Sequence, residues 1–242
     1  MERKCKAVAK LLLEHREARG WCWPWLKQGR SLSPKDANKF LLGSILDYQM
    51  RAEVAWENAR RLAEDILGDP DNLWHKIARL SRRNWMSRRR KYSLHRFVQG
   101  HERVWTIGKR VVQQYEGDAR KIWSNQSADT VLCRLTDLGV GEQISRMIVG
   151  ALTDTRRITG KGDVKIDIHV RRVLGRVFWG NGLSLADEGK VSEITHAMHP
   201  QNPWLLDRPL YLLGKQQCHA EKPECSSCYL AAECSYHKSH CS

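Results

Sequence analysis

The sequence predicts an all-α protein, and three observations carry that prediction. Apolar residues recur at helical spacing in almost every segment instead of alternating along the chain. The segments are separated by Gly, Pro and Ser-Pro punctuation of the kind that starts and stops helices. No stretch reads as a strand, an internal repeat or a low-complexity tract.

Taken in order, Leu11, Leu12 and Leu13 belong to a first short helix, and Trp21, Trp23, Pro24 and Trp25 form an irregular aromatic patch. Ser33-Pro34-Lys35-Asp36 reads as a helix start, with Ser as N-cap, Pro at the first position and Asp closing a capping-box-like pair. Phe40, Leu41, Ile45 and Leu46 give that helix a buried stripe. Val54, Ala55, Ala59, Leu62 and Ile66 mark a second helix, stopped by Gly68-Asp69-Pro70, and Leu73, Trp74, Ile77 and Leu80 a third. The run from Arg82 to Lys91 interrupts the pattern as a connector. Val104, Trp105, Ile107, Gly108, Val111, Val112 and Tyr115 resume it as far as Gly117. Val131, Leu132 and Leu135 enter a tight Gly139-Val140-Gly141 turn, and Ile144, Met147, Ile148, Ala151 and Leu152 leave it. After a loop at 159–163, Val170, Val173, Leu174 and Val177 face inward behind Asp167. Ser184-Leu185-Ala186-Asp187 starts a further helix with Val191, Ile194 and Met198 apolar. Leu205, Leu206, Leu210 and Leu213 make the last, closed by Gly214.

The chain has 242 residues, room for one large or two small domains with a real core. Its formal charge of +14, from 41 basic and 27 acidic residues, calls for a polyanionic partner. The charge clusters: Arg82, Arg83, Arg88, Arg89, Arg90 and Lys91 lie together, with Trp85 and Tyr92 interleaved. A charge run by itself is a solvated face. Basic and aromatic residues together suit phosphates and bases, and of the ten tryptophans Trp23 and Trp85 lie where stacking is plausible, whereas Trp56, Trp105, Trp123 and Trp179 read as core. No apolar run has the length of a membrane span, and the charged N-terminal stretch lacks a signal-peptide pattern. The expected location is therefore cytoplasmic and nucleoid-associated, where eight cysteines point to metal binding more than to disulfides.

Two motifs carry chemistry. Gly139-Val140-Gly141 joins two helices through a turn whose backbone N–H groups converge without side chains in the way, an anion site at a helix start. Asp167 stands where the next helix should begin, as an N-cap that also offers a carboxylate. Near the C-terminus, Cys218, Cys225, Cys228 and Cys234 follow a 6-2-5 spacing suited to a single metal centre, with zinc the default for a bare Cys-x2-Cys pair. Cys241 reads as a free tail thiol, and Cys5, Cys22 and Cys133 lack partners at ligand spacing.

The hairpin, the helix-capping Asp and the 6-2-5 cysteines together resemble the endonuclease III branch of the helix-hairpin-helix DNA glycosylases. The resemblance runs back to Phe40-Leu-Leu-Gly-Ser-Ile-Leu-Asp-Tyr-Gln49 and covers roughly residues 35–234. It implies a six-helix barrel over 35–160, with the hairpin at about 131–152. It also implies a cluster lobe built from both chain ends, 1–34 and 161–242, and a DNA-binding cleft between the two. The implied cofactor is a 4Fe–4S cluster on Cys218, Cys225, Cys228 and Cys234. The implied partner is double-stranded DNA with a damaged, mismatched or modified base, bound by a monomer. Asp167 matches the catalytic aspartate, which stabilises the sugar cation as the base leaves. Leu138, Gly139, Val140 and Gly141 match the phosphate grip, and Gln49 the residue that fills the hole left by a flipped nucleotide. Arg88, Arg89, Arg90 and Lys91 are the expected backbone contacts.

Departures from the pattern sharpen the expectation. Bifunctional members carry a Schiff-base lysine two residues after the second hairpin glycine. This chain has Gln143 there, and an amide cannot be that nucleophile. The expected activity is hydrolysis of the N-glycosidic bond without lyase cleavage. The alternatives are a glycosylase/lyase using another lysine, such as Lys161 or Lys165, and a non-catalytic DNA-structure binder. Ser44 stands where the adenine-excising branch carries a glutamate, and Ser44, Asp47 and Tyr48, all just before Gln49, are the candidate base-pocket residues. The long loop before Asp167 brings Arg156, Arg157 and Lys161 as further candidate DNA contacts, whereas the stretch between Cys218 and Cys225 is less basic than a DNA-contacting loop should be.

Overall fold

The computed structural model describes residues 1–15, 22–181 and 186–240. Trp21, the Ser184-Leu185 half of the expected helix start, and Cys241 lie outside the described residues. Within them the chain is all-α, and the sole β feature is one isolated bridge between Ser127 and Thr159. The backbone divides into two units, Trp23–Gly160 and the paired segments Met1–Cys22 with Lys161–Ser242.

The continuous unit is built around α2 (Pro34–Leu46), where Ser33 accepts from Asp36 N–H as the capping pattern requires. The expected apolar stripe is too narrow a description: Ala37 through Leu46 are all buried. Such a helix is enclosed on every side, and its polar residues are matched accordingly. Asn38 donates to Pro70 O and Asp71 O and accepts from Ala119 N–H. Lys39 reaches Glu64 at 2.7 Å. Beside it runs α3 (Ala52–Arg60), continued by a π turn at Arg61–Ile66, and Ala55, Ala59, Leu62 and Ala63 form its inner face. The two helices meet at Gly43, where an added Cβ would lie 2.0 Å from Trp56 Cε3. Next come α4 (Leu73–Arg79), α5 (Arg82–Ser87), α6 (Arg89–Tyr92), α7 (Val98–Tyr115) and α8 (Arg120–Trp123). The unit closes with the hairpin pair α9 (Ala128–Asp137) and α10 (Glu142–Asp154).

The Arg82–Lys91 run is helical, which corrects the expected connector. Ser81 accepts from Asn84 N–H to cap α5, and Arg61 donates to Tyr92 O and Ser93 O where α6 ends. Trp85 and Tyr92 are the apolar anchors that fold this basic segment onto the core. Trp85 is fully buried and donates to His101 O at 2.8 Å, so it is no stacking platform for a base. Trp123 is core as expected, while Trp56, Trp105 and Trp179 are only partly buried.

The second unit joins the chain ends. Cys5, Val8 and Leu12 of α1 (Glu2–Glu14) share a core with Val170, Val173, Leu174 and Val177 of α11 (Ile168–Trp179). α12 (Glu188–Met198), capped by Asp187, and α13 (Asp207–Gln216) complete that core with Val191, Ile194, Leu210 and Leu213. Two 3-10 turns, Cys225–Ser227 and Ala231–Glu233, then lead into α14 (Ser235–His240).

Candidate nucleic-acid interface and metal centre

The hairpin forms as the Gly-Val-Gly pattern predicts. Gly139 and Gly141 have φ of 89° and 86°, values that L side chains rarely adopt. Leu138 and Val140 are fully buried while the two glycines face outward, so the turn is plugged from below and bare above. Gly139 N–H donates to Thr136 O and Val140 N–H to Leu135 O, which locks the turn. The first-turn N–H groups of α10 have no intrahelical acceptor and carry the positive end of the helix dipole. What this surface offers an anion is therefore backbone. The side chains of Leu138 and Val140 serve as anchors. Gln143, the second residue of α10, is half-buried.

In the other unit Asp167 caps α11. Its Oδ1 accepts from His169 N–H at 2.8 Å and from Val170 N–H at 3.0 Å. Among the described residues Oδ2 has no hydrogen bond. The result is a half-buried carboxylate with one oxygen fixed and one available, at the positive end of a twelve-residue helix. Of the nearby lysines, Lys161 donates to Pro200 O, and the Lys165 N–H donates to the Asp207 carboxylate.

Gln49 lies three residues beyond the end of α2, exposed and in the left-handed region at φ 50°. Asp47 is the C-cap of α2, and its N–H returns to Gly43 O and Ser44 O. Tyr48 is exposed, stacks near His95 and lies under the Arg103 guanidinium at 4.9 Å. Ser44 is fully buried and spends its hydroxyl on Phe40 O, so it presents nothing to a base. Arg88, Arg90 and Lys91 are exposed and Arg89 half-exposed, and none of the four makes an ion pair among the described residues. Arg82, in contrast, is neutralised by Glu102. Of the loop residues expected to reach outward, Arg157 is committed to Lys27 O and Arg30 O.

Cys218, Cys225, Cys228 and Cys234 line one small cavity of about 30 Å³, whose remaining wall includes Val173, Val177, Leu213 and Leu230. Among the described residues no three His, Cys, Asp or Glu side chains converge on a point that could hold a single metal ion. Burial pushes the Cys228 and Cys234 thiols up. Four sulfur donors on an apolar wall fit a soft iron–sulfur centre, which holds coordinated cysteines as thiolates.

Two residues escaped the sequence reading. Arg172 and Arg176 stand on the otherwise apolar face of α11 and are buried. Arg176 donates to Cys218 Sγ at 3.3 Å, His219 O at 2.6 Å and Ala220 O at 2.7 Å. Arg172 donates to Cys218 O and Gly214 O, both at 2.7 Å. Burial lowers the Arg172 pKa. The available signal was their i, i+4 spacing beside Val173 and Val177.

No family model matches the chain. Solved structures do. A trapped endonuclease III–DNA covalent intermediate, an estranged-adenine complex, aligns with a TM-score of 0.69 at 16% identity, over 100% of this chain and 99% of that one. A non-covalent endonuclease III–DNA complex gives 0.67 at 17% identity over 100% and 98%, and a thermostable thymine-DNA glycosylase 0.67 at 16% over 98% and 98%. The chain thus shares the all-α fold of these proteins along its full length. Among the described residues no helix is long and apolar enough to cross a membrane.

Proposed function

We propose that this chain is a DNA N-glycosylase that extrudes a damaged, mismatched or modified base and hydrolyses its N-glycosidic bond. Asp167 carries the reading. One carboxylate oxygen is pinned by two backbone N–H groups and the other is left to face developing positive charge. That suits stabilisation of an oxocarbenium-like sugar as the base departs, and orientation of the attacking water. The bare backbone at Gly139–Gly141 suits a DNA phosphate, Arg88, Arg89, Arg90 and Lys91 supply sequence-independent attraction, and exposed Gln49 suits the vacated position in the stack. Asp47 and Tyr48 adjoin Gln49 in the chain, and we assign them to meet the base.

Gln143 sets the reaction type. Its amide forms no imine with a sugar aldehyde, so water is the nucleophile and the backbone stays intact. We assign a 4Fe–4S cluster to Cys218, Cys225, Cys228 and Cys234, on the strength of an all-sulfur donor set around one apolar cavity. When bound, the cluster supplies a covalent cross-link to this loop. Arg172 and Arg176 hold the loop's carbonyls and one sulfur in place.

The test is a panel of duplexes carrying uracil, thymine mismatches, oxidised pyrimidines, oxidised guanine and alkylated purines. Base release that breaks strands only after alkali supports the reading. A strong borohydride-trapped adduct on abasic DNA would overturn its monofunctional part. Tight, salt-sensitive binding with no release from any lesion would favour a DNA-structure binder.

A further inference from the structure

The continuous unit contains a second basic site. A cavity of about 620 Å³ lies between the loop at 28–32, the end of α8 and the end of α10, and its lining includes Arg30, Arg120, Arg156 and Arg157 but no carboxylate. The volume is that of a small-molecule site. It sits at the far end of α10 from the hairpin, about 20 Å away at 1.5 Å per residue, so it is not part of the phosphate grip.

Among the described residues three of the four guanidiniums, those of Arg30, Arg156 and Arg157, make no ion pair. Arg120 is held by Asp118 at 2.6 Å. Arg157 donates to Lys27 O at 2.9 Å and Arg30 O at 3.0 Å, yet its Nε is buried with no acceptor and burial lowers its pKa. Arg30 and Arg156 make no ion pair among the described residues. Arg157 is the half-buried one, and guanidinium charge drawn from water without a counter-ion is unfavourable. Arg30 and Arg156 are exposed at the mouth, where a phosphate can take paired N–H···O bonds from them.

The backbone is arranged to tolerate an anion here. A helix C-terminus normally repels one, but α10 has already used its last carbonyls. Arg157 N–H donates to Leu152 O, Arg156 N–H to Thr153 O and Thr155 N–H to Ala151 O. Arg156 at φ 55° and Asn125 at φ 58° both line the cavity, Arg156 as the left-handed residue that follows the α10 C-cap and Asn125 in a region that Asn adopts readily.

We propose that this cavity binds clustered phosphates, through Arg30 and Arg156 with Arg157 as the fixed base of the site. The ligand chemistry is two or more adjacent phosphates, from a free nucleotide or from successive phosphates of a nucleic-acid backbone. The test is calorimetric titration of the full chain with inorganic pyrophosphate, against an Arg30→Gln/Arg156→Gln double variant whose melting temperature confirms folding. Pyrophosphate is expected to bind the wild type and to weaken at least about tenfold in the variant. A short undamaged duplex that displaces pyrophosphate, and itself weakens in the variant, identifies the backbone as the source. A duplex that leaves pyrophosphate bound identifies a free ligand. Absent binding, equal binding to both proteins, or equal binding of sulfate overturns the proposal.

Discussion

Arg176 donates a hydrogen bond from Nη1 to Cys218 Sγ at 3.3 Å while its other contacts hold the carbonyls of His219 and Ala220. One buried side chain thus fixes both a proposed cluster ligand and the backbone that follows it. Arg176→Gln is expected to lower stability by about 3 kcal/mol, because it strands two carbonyls and shortens the reach to sulfur. Iron content and visible absorption of an anaerobic preparation should fall with it. Full iron loading at wild-type stability would contradict the role.

Gly43 allows α2 and α3 to touch. With a Cβ 2.0 Å from the Trp56 ring, Gly43→Ala should cost about 1–3 kcal/mol by overpacking. Combining it with Trp56→Leu should recover much of that loss, since the clash is with one ring. Urea midpoints of the four proteins in the cycle check the coupling.

His101 is buried, and burial lowers its pKa from 6.5 to about 4. The positive groups nearest it, Arg89 and His95, push the same way. The folded chain therefore favours neutral imidazole. Its contribution is full above pH 6.5 and is lost as pH falls toward 4, by on the order of 3 kcal/mol over that window. His101→Leu should flatten the wild-type stability curve there. A curve of unchanged slope would contradict this.

The hairpin glycines differ in what they need. A Cβ at Gly141 meets nothing within 4 Å, so Gly141→Ala acts through its φ of 86° alone, at about 1–2 kcal/mol. At Gly139 the Cβ would also come to 3.0 Å from Arg110 Nη1. Under the proposed function, Gly141→Ala weakens duplex binding and makes its salt slope shallower.

The hairpin turn, the Asp167 cap and the gathering of the four C-terminal cysteines around one cavity were legible because each is local. A turn residue, a cap and a loop spacing are written within a few positions of where they act. The Arg82–Lys91 helices were not, because the charge of the run hid two anchors, Trp85 and Tyr92, whose burial depends on distant helices. The enclosure of α2 was missed for the same reason: Asn38 and Lys39 look like surface until Pro70, Ala119 and Glu64 arrive to satisfy them. Ser44 looked available by register, yet folding turned its hydroxyl back onto Phe40 O.

The central claim is that the Asp167 carboxylate does chemistry beyond capping, and Asp167→Asn tests it most directly. Asn caps a helix about as well as Asp, so melting temperature and duplex affinity should hold. Single-turnover release of the base from the lesion that wild type processes should fall about a hundredfold or more. Release by Asp167→Asn at the wild-type rate would contradict the account.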